Sequence, residues 1–185
     1  MAAVSAKPVK ITPVAGLKQL TLENWREPDS SSAAFCRVDV EHGPVGMLAD
    51  DWAQLILGVD VSPRAPEEIR TLFAVGRGTL IYGWFYYPLY SVGEDQLHRV
   101  AERAVAHRFT ELGGPSRTKT FADRIEWLNQ QGVIPHGELP RWDAIRKIRN
   151  MGSHPTLQRV GPPGDALTTL KILARGIDQV LGLAP

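Results

Sequence analysis

An arginine and a histidine stand five residues apart in the segment RNMGSHP, which runs from Arg149 to Pro155. Histidine transfers protons near neutral pH, and the arginine guanidinium binds phosphate oxygens through two parallel hydrogen bonds. The two side chains could therefore act on a phosphodiester, provided that the fold brings Arg149 and His154 to one ligand. Whether this segment is a catalytic site or only a helix end decides the function of the protein.

The arginine falls near the end of a predicted helix that starts at Pro140. At 100° per residue, Trp142, Ile145 and Ile148 form the apolar stripe of this helix. Arg149 lies only about 20° from Trp142 around the helix axis, so it faces the core side. A guanidinium in that position must be paired, hydrogen-bonded or opened onto an interface, because an unpaired buried charge is too costly.

The histidine needs a break in this helix. In an unbroken helix His154 would lie about 140° from Arg149, too far for a shared ligand. Gly152 suits a left-handed cap, and Pro155 biases His154 away from helical conformation, so the imidazole can turn back towards Arg149. No other arginine in the sequence is followed directly by Asn, Asp or His.

The charges near this segment have two interpretations. Arg146 and Lys147 form a modest basic patch and are candidate RNA-binding residues, but with Asp143 they equally fit an ordinary solvated helix face. The net charge of +1 gives no overall signature for nucleic acid, so a local patch would have to hold RNA. No histidine pair has metal-ligand spacing, and Cys36 is the single cysteine, so we expect neither a metal site nor a cofactor.

The N-terminal part of the chain gives weak signals. Residues 1–34 are typical of a loosely ordered arm, and AFCRVDV alternates like a short strand. The segment DDWAQLILGVDV fits either a helical turn or a second strand. We therefore expect an N-terminal extension over residues 1–62 and a helical domain over residues 63–185.

From residue 63 the pattern is helical. The first helix is expected from Pro66 to about Tyr87, and a capping box of Ser91 and Glu94 begins the second. The others are predicted at 120–131, from 140 onwards, and in an amphipathic segment that ends before Gly182. These elements predict an all-α fold, an antiparallel bundle of four to five helices with a short irregular or partly β N-terminal segment.

The apolar run from Leu72 to Tyr90 approaches membrane-spanning length. It contains Arg77 and Pro88, so we expect a helix buried in the bundle rather than a membrane span. Gly76 and Gly78 in this run fit close helix packing. No signal sequence precedes the domain, so a cytoplasmic location is expected.

The order of these segments resembles the HEPN superfamily, named for nucleotide-binding domains of higher eukaryotes and prokaryotes. The resemblance covers about residues 65–185: an aromatic helix pair (LIYGWFYYPLYSVGEDQLHRVAERAVAHRF), a middle helix (FADRIEWLNQQGVI), WDAIRKIRNMGSHP and a closing amphipathic helix. The signature of the superfamily is an arginine, a polar residue and, after three to five more residues, a histidine. Arg149, Asn150 and His154 match it.

The resemblance implies a homodimer and, in many members, a metal-independent endoribonuclease of toxin or defence type. His154 would relay protons, Arg149 would stabilise the pentacoordinate phosphorane, and Asn150 would orient the motif. Because one histidine takes one role at a time, a second motif from a dimer partner would provide the complementary acid or base. Other members only bind RNA, nucleotides or protein partners, and an antitoxin is the partner expected of a toxin. Both a nuclease and a noncatalytic binding module therefore stay open.

Overall fold

The structure, a computed structural model, describes residues 17–32, 35–152 and 161–183. The elements in these ranges, in chain order, are β1 (Cys36–Asp39), β2 (Gly43–Gly46), α1 (Ala49–Leu57), α2 (Glu67–Tyr82), α3 (Leu89–Glu111), α4 (Phe121–Gln130), a 3-10 turn (His136–Glu138), α5 (Leu139–Gly152) and α6 (Pro163–Val180). The predicted all-α fold with a short β start is confirmed. Helix α1 is an addition to the four to five helices expected.

Helix α3 is the centre of the bundle, with α2, α4, α5 and α6 packed against it. Its residues Leu97, Val100 and Ala104 are fully buried. Gly93 allows α2 to come close, since a Cβ added there would lie 2.5 Å from Leu80 Cδ2. On α2, Gly76 has the same role, whereas a Cβ on Gly78 would meet no atom within 4 Å. The expectation of close packing is confirmed for Gly76 and is wrong for Gly78.

Helix α1 resolves the ambiguity in DDWAQLILGVDV, which is helical. Trp52 and Ile56 are buried in the same core as the later helices, and Val61 joins them. The indole Nε1 of Trp52 donates a hydrogen bond to the Leu80 carbonyl oxygen at 2.9 Å. The last part of the predicted N-terminal extension, from Trp52 to Val61, therefore shares the core of the bundle.

Residues 29–32 also depart from the loose arm that was predicted. Asp29 and Ser32 are buried. The Asp29 carboxylate accepts the backbone N–H groups of Ser31 and Tyr87, each at 3.0 Å. The N–H of Asp29 donates to the Trp84 carbonyl oxygen at 2.9 Å. These bonds hold the segment against the connection between α2 and α3.

The junction of α2 and α3 differs from the sequence-based expectation. Helix α2 ends at Tyr82 rather than near Tyr87, and α3 begins at Leu89, directly after Pro88. Ser91 and Glu94 thus lie inside the first turns of α3, and the predicted capping box is wrong. Proline favours a helix start because its φ is already helical and it has no N–H to leave unpaired.

Within the described ranges no helix is long and apolar enough to cross a membrane. The apolar run from Leu72 to Tyr90 is divided between α2, the following turn and the start of α3.

Candidate functional site

Arg149 lies in the last turn of α5, where this helix meets α3. Its Nε donates a hydrogen bond to Glu102 Oε2 at 2.6 Å, and Nη1 lies 3.5 Å from Asn150 Oδ1. The side chains of Arg149 and Glu102 are 33% and 27% exposed. The expectation that Arg149 points inwards and must be paired is confirmed, and the pair sits at the rim of the helix contact.

The geometry of α5 explains why the arginine meets α3. Trp142 and Ile145 are buried, at 1% and 4% exposure, whereas Ile148 is 46% exposed. Ile148 is therefore not part of the buried stripe, contrary to the prediction. It lies about 100° from Arg149 around the axis, and Arg149 continues the face that begins at Trp142.

The segment after α5 is only partly described. His154, with Ser153 and Pro155, lies outside the described residues, so its turn back towards Arg149 stays a prediction. Asn150 is exposed at the end of the helix, beside Arg149. Helix α5 continues through Gly152, so the left-handed cap predicted at this glycine is wrong. Glycine enters a right-handed turn as readily as a left-handed one.

A polar stripe on α3, formed by Glu94, His98 and Glu102, runs beside α5 and α6. Glu94 Oε1 accepts a hydrogen bond from Thr169 Oγ1 of α6 at 2.8 Å, and Glu102 binds Arg149 of α5. These residues recur every four positions, so they occupy successive turns of one face.

His98 is the buried member of this stripe, with 4% exposure. Its Nδ1 lies 2.7 Å from the Glu94 carbonyl oxygen, which can only accept, so Nδ1 carries the proton. Burial lowers the pKa of His98 below its usual value, and the hydrogen bond to Glu94 opposes that shift. Sequence reasoning missed the polar stripe. The signal was there, because ionisable residues at four-residue spacing interrupt the apolar face of α3.

The two candidate RNA-binding residues share one carboxylate. Arg146 Nη2 lies 2.7 Å from Asp143 Oδ1, and Lys147 Nζ lies 2.8 Å from Asp143 Oδ2. The hydrogen bond from Lys147, then that from Arg146, lowers the pKa of Asp143. The turn of α5 that carries both cations is therefore partly neutralised.

Arg146 also borders an open groove of about 380 Å³ between α4 and α5, which Asp123, Glu126 and Asp143 line together with apolar side chains. Carboxylates outnumber the single guanidinium in this groove, so its lining does not favour an anion. Among the residues that the structure describes, no three His, Cys, Asp or Glu side chains are grouped as a metal ion requires.

Comparison with known proteins adds one match. Residues 96–184, just under half of the chain, match the model of a domain of unknown function, DUF4145. The matched region begins inside α3 and contains both Glu102 and Arg149. No curated protein and no solved structure matches the chain.

Proposed function

We propose that the protein is a HEPN-type, metal-independent endoribonuclease in which Arg149 and His154 act on the scissile phosphate. The observation that supports this is the placement of Arg149, held by Glu102 at 2.6 Å on the rim of the contact between α3 and α5. The Arg149 side chain is one-third exposed and adjoins Asn150, directly before the segment that contains His154. A guanidinium oriented at the surface is what phosphate recognition requires.

In the proposed reaction the ribose 2′-oxygen attacks the adjacent phosphorus, and the bond from phosphorus to the 5′-oxygen breaks. One imidazole accepts the proton of the 2′-OH, and an acid donates a proton to the departing 5′-oxygen. Arg149 stabilises the additional negative charge on the phosphorane oxygens. Glu102 fixes the guanidinium plane through Nε, so less side-chain freedom is lost when phosphate binds.

A second copy of the chain would provide the second imidazole. Ile148 and Met151, on either side of Arg149 in the sequence, are 46% and 40% exposed. Exposed Ile and Met side chains beside an arginine fit an interface, because the buried centre of an interface is apolar and is enriched in Met and Arg. A dimer formed over this end of α5 would bring two Arg149 residues and two His154 residues together, and the His154 from each chain would serve as acid or base.

Cleavage of a single-stranded RNA by the purified protein tests this function. We expect activity in the presence of EDTA, a 2′,3′-cyclic phosphate on the product, and a loss of roughly 100- to 1,000-fold in both Arg149→Ala and His154→Ala. Arg103→Ala is the matched control, because Arg103 also pairs with a glutamate across two helices, binding Glu68 at 2.7 and 2.9 Å. This control should retain wild-type activity.

Mixing the Arg149→Ala and His154→Ala proteins tests the shared site. A composite site regains one intact Arg and His pair in the heterodimer and recovers part of the activity, whereas a site within one chain stays inactive. Wild-type protein that binds RNA without cleaving it would instead establish the noncatalytic binding module.

A further inference from the structure

The β1–β2 hairpin extends from the bundle with little cover. Val38 is 81% exposed and Val40 fully exposed. The hairpin has only two strands, paired antiparallel with Val38 opposite Pro44 and Cys36 opposite Gly46. A two-stranded sheet is marginally stable in water, and an exposed strand edge is a template for a further strand.

The two edges of this hairpin are not equivalent. The N–H of Met47 donates to the Phe35 carbonyl oxygen at 2.9 Å, which continues the ladder beyond the strands. Hydrogen-bonded and non-hydrogen-bonded residue pairs alternate along an antiparallel ladder. The backbone N–H and C=O of Arg37 therefore bond to β2, whereas those of Val38 point away from β2. Opposite Val38, Pro44 has no N–H to offer, so the outer edge of β2 is blocked at its centre.

The outer edge of β1 is available to a strand. No hydrogen bond outside the hairpin, as far as the chain is described, involves the backbone of Cys36, Val38 or Val40. All three residues are exposed. A strand that binds here would find outward N–H and C=O groups at Cys36 and Val38, whereas Val40 follows the end of β1 and lies in the hairpin turn.

The charges on β1 determine which strand fits. Arg37 and Asp39 flank Val38 and share the other face of the strand, where Arg37 Nη1 lies 3.9 Å from Asp39 Oδ2 and Arg37 Nε lies 3.5 Å from Asp51 Oδ2 of α1. When two copies of β1 run antiparallel with their Val38 residues opposite each other, Arg37 of one copy faces Asp39 of the other. The strand is therefore complementary in charge to itself, as an interface with twofold symmetry requires.

We propose that β1 is a self-association edge, which pairs antiparallel with β1 of a second copy about a twofold axis at Val38. The two Val38 residues exchange N–H···O bonds across the axis. The two Arg37–Asp39 pairs occupy the closer, non-bonded positions, where cross-strand side chains interact most strongly. The product is a four-stranded sheet made of two hairpins. It depends on neither Arg149 nor the proposed ribonuclease activity.

Charge reversal tests the pairing. We expect Arg37→Asp and Asp39→Arg each to weaken self-association by about tenfold or more in sedimentation velocity, because each variant places like charges opposite each other twice. The mixture of these two variants should regain wild-type association, since every facing pair is again of opposite sign. Glu41→Lys, a reversal in the hairpin turn outside these pairs, should have no effect. Recovery in the mixture also excludes misfolding of the single variants.

A disulfide tests the register. Val38→Cys in a Cys36→Ser background places two thiols opposite each other at the twofold axis, at the Cα distance of about 5.5 Å that is found in bonded pairs and that a disulfide spans. We expect this variant to form covalent dimers on mild oxidation, and the wild-type protein, whose two Cys36 residues do not face each other, to form none.

A wild-type protein that stays monomeric at submillimolar concentration would overturn the proposal. So would a dimer that is insensitive to both charge reversals, because its interface would then lie elsewhere. Measurement of RNA cleavage by the charge-reversal variants separates the two proposals. The strands can pair in a protein that does not cleave RNA, and RNA cleavage can persist in a protein whose strands do not pair.

Discussion

At the scale of single residues, the ion pair of Arg149 and Glu102 allows an effect on activity to be distinguished from an effect on stability. Each side chain is about one-third exposed, and ion pairs of that exposure contribute roughly 1 kcal/mol or less to folding. The comparable pair of Arg103 and Glu68 is more exposed still, at 48% and 55%. We therefore expect loss of either ion pair to change the free energy of unfolding little, so a large loss of activity in Arg149→Ala with an unchanged melting temperature would reflect a role in the reaction.

His98 predicts how stability depends on pH. Burial lowers its pKa below 6.5, so at pH values just below 6.5 the unfolded chain binds a proton that the folded chain resists. The free energy of unfolding therefore falls as the pH drops from about 7.5 to about 5.5. We expect a lower melting temperature at the acidic end of this range, and a flatter profile in His98→Gln, which cannot ionise.

The control for this profile is His107→Gln, since His107 lies on the same helix but is only partly buried. It should keep the wild-type slope. Burial raises the pKa values of Asp95 and Asp178 above 3.8. Protonation of these carboxyls therefore affects the free energy of unfolding at lower pH than His98 does, and it increases that free energy as the pH falls. An unchanged slope in His98→Gln would show that His98 is not the group responsible.

At the scale of elements, the contact between α2 and α3 predicts opposite effects for two glycines. A Cβ on Gly93 would lie 2.5 Å from Leu80 Cδ2 and 3.2 Å from the Gly76 carbonyl oxygen, whereas a Cβ on Gly78 meets nothing within 4 Å. We expect Gly93→Ala to destabilise the protein by about 1–2 kcal/mol in urea unfolding. Gly78→Ala should stabilise it by about 0.5–1 kcal/mol. Equal effects would mean that α2 and α3 are not in this close contact.

Local sequence signals were enough to predict the ends of some helices and not of others. Helix α4 was predictable, because Thr120 caps it by accepting the Asp123 N–H at 3.1 Å and Gly132 ends it with a φ of +73°. The start of α3 was not. Tyr90 is fully buried and packs edge-on against Trp52 at 5.4 Å, so a distant helix takes part in fixing the junction.

The site was predictable only in part, for a similar reason. The position of Arg149 on its helix indicated an inward side chain that needs a partner. The partner, Glu102, lies 47 residues earlier on another helix. Which turns of α3 and α5 meet depends on packing, including that of Trp142, whose ring lies 3.5 Å from where a Cβ of Gly176 would be. No local spacing in the sequence contains that information.

At the scale of the whole molecule, Asp29 predicts where the chain can be shortened. The Asp29 carboxylate accepts hydrogen bonds from the N–H groups of Ser31 and Tyr87. Deletion of residues 1–28 retains this carboxylate, whereas deletion of residues 1–32 removes it. Hydrogen bonds to a carboxylate contribute about 1.5–3 kcal/mol. We expect the longer deletion to melt about 5–10 °C below the shorter one. Identical melting temperatures would show that residues 29–32 do not support the bundle.

The central position of α3 has a consequence for the exchange of backbone amides with deuterium. Because α2, α4, α5 and α6 all pack against this helix, its amides reach solvent only after several neighbours have detached. The slowest-exchanging amides should therefore cluster around Leu97 to Val105 and report on global unfolding. A ligand that binds both α3 and α5 at Glu102 and Arg149 would then slow exchange throughout α3, far beyond the atoms that it touches.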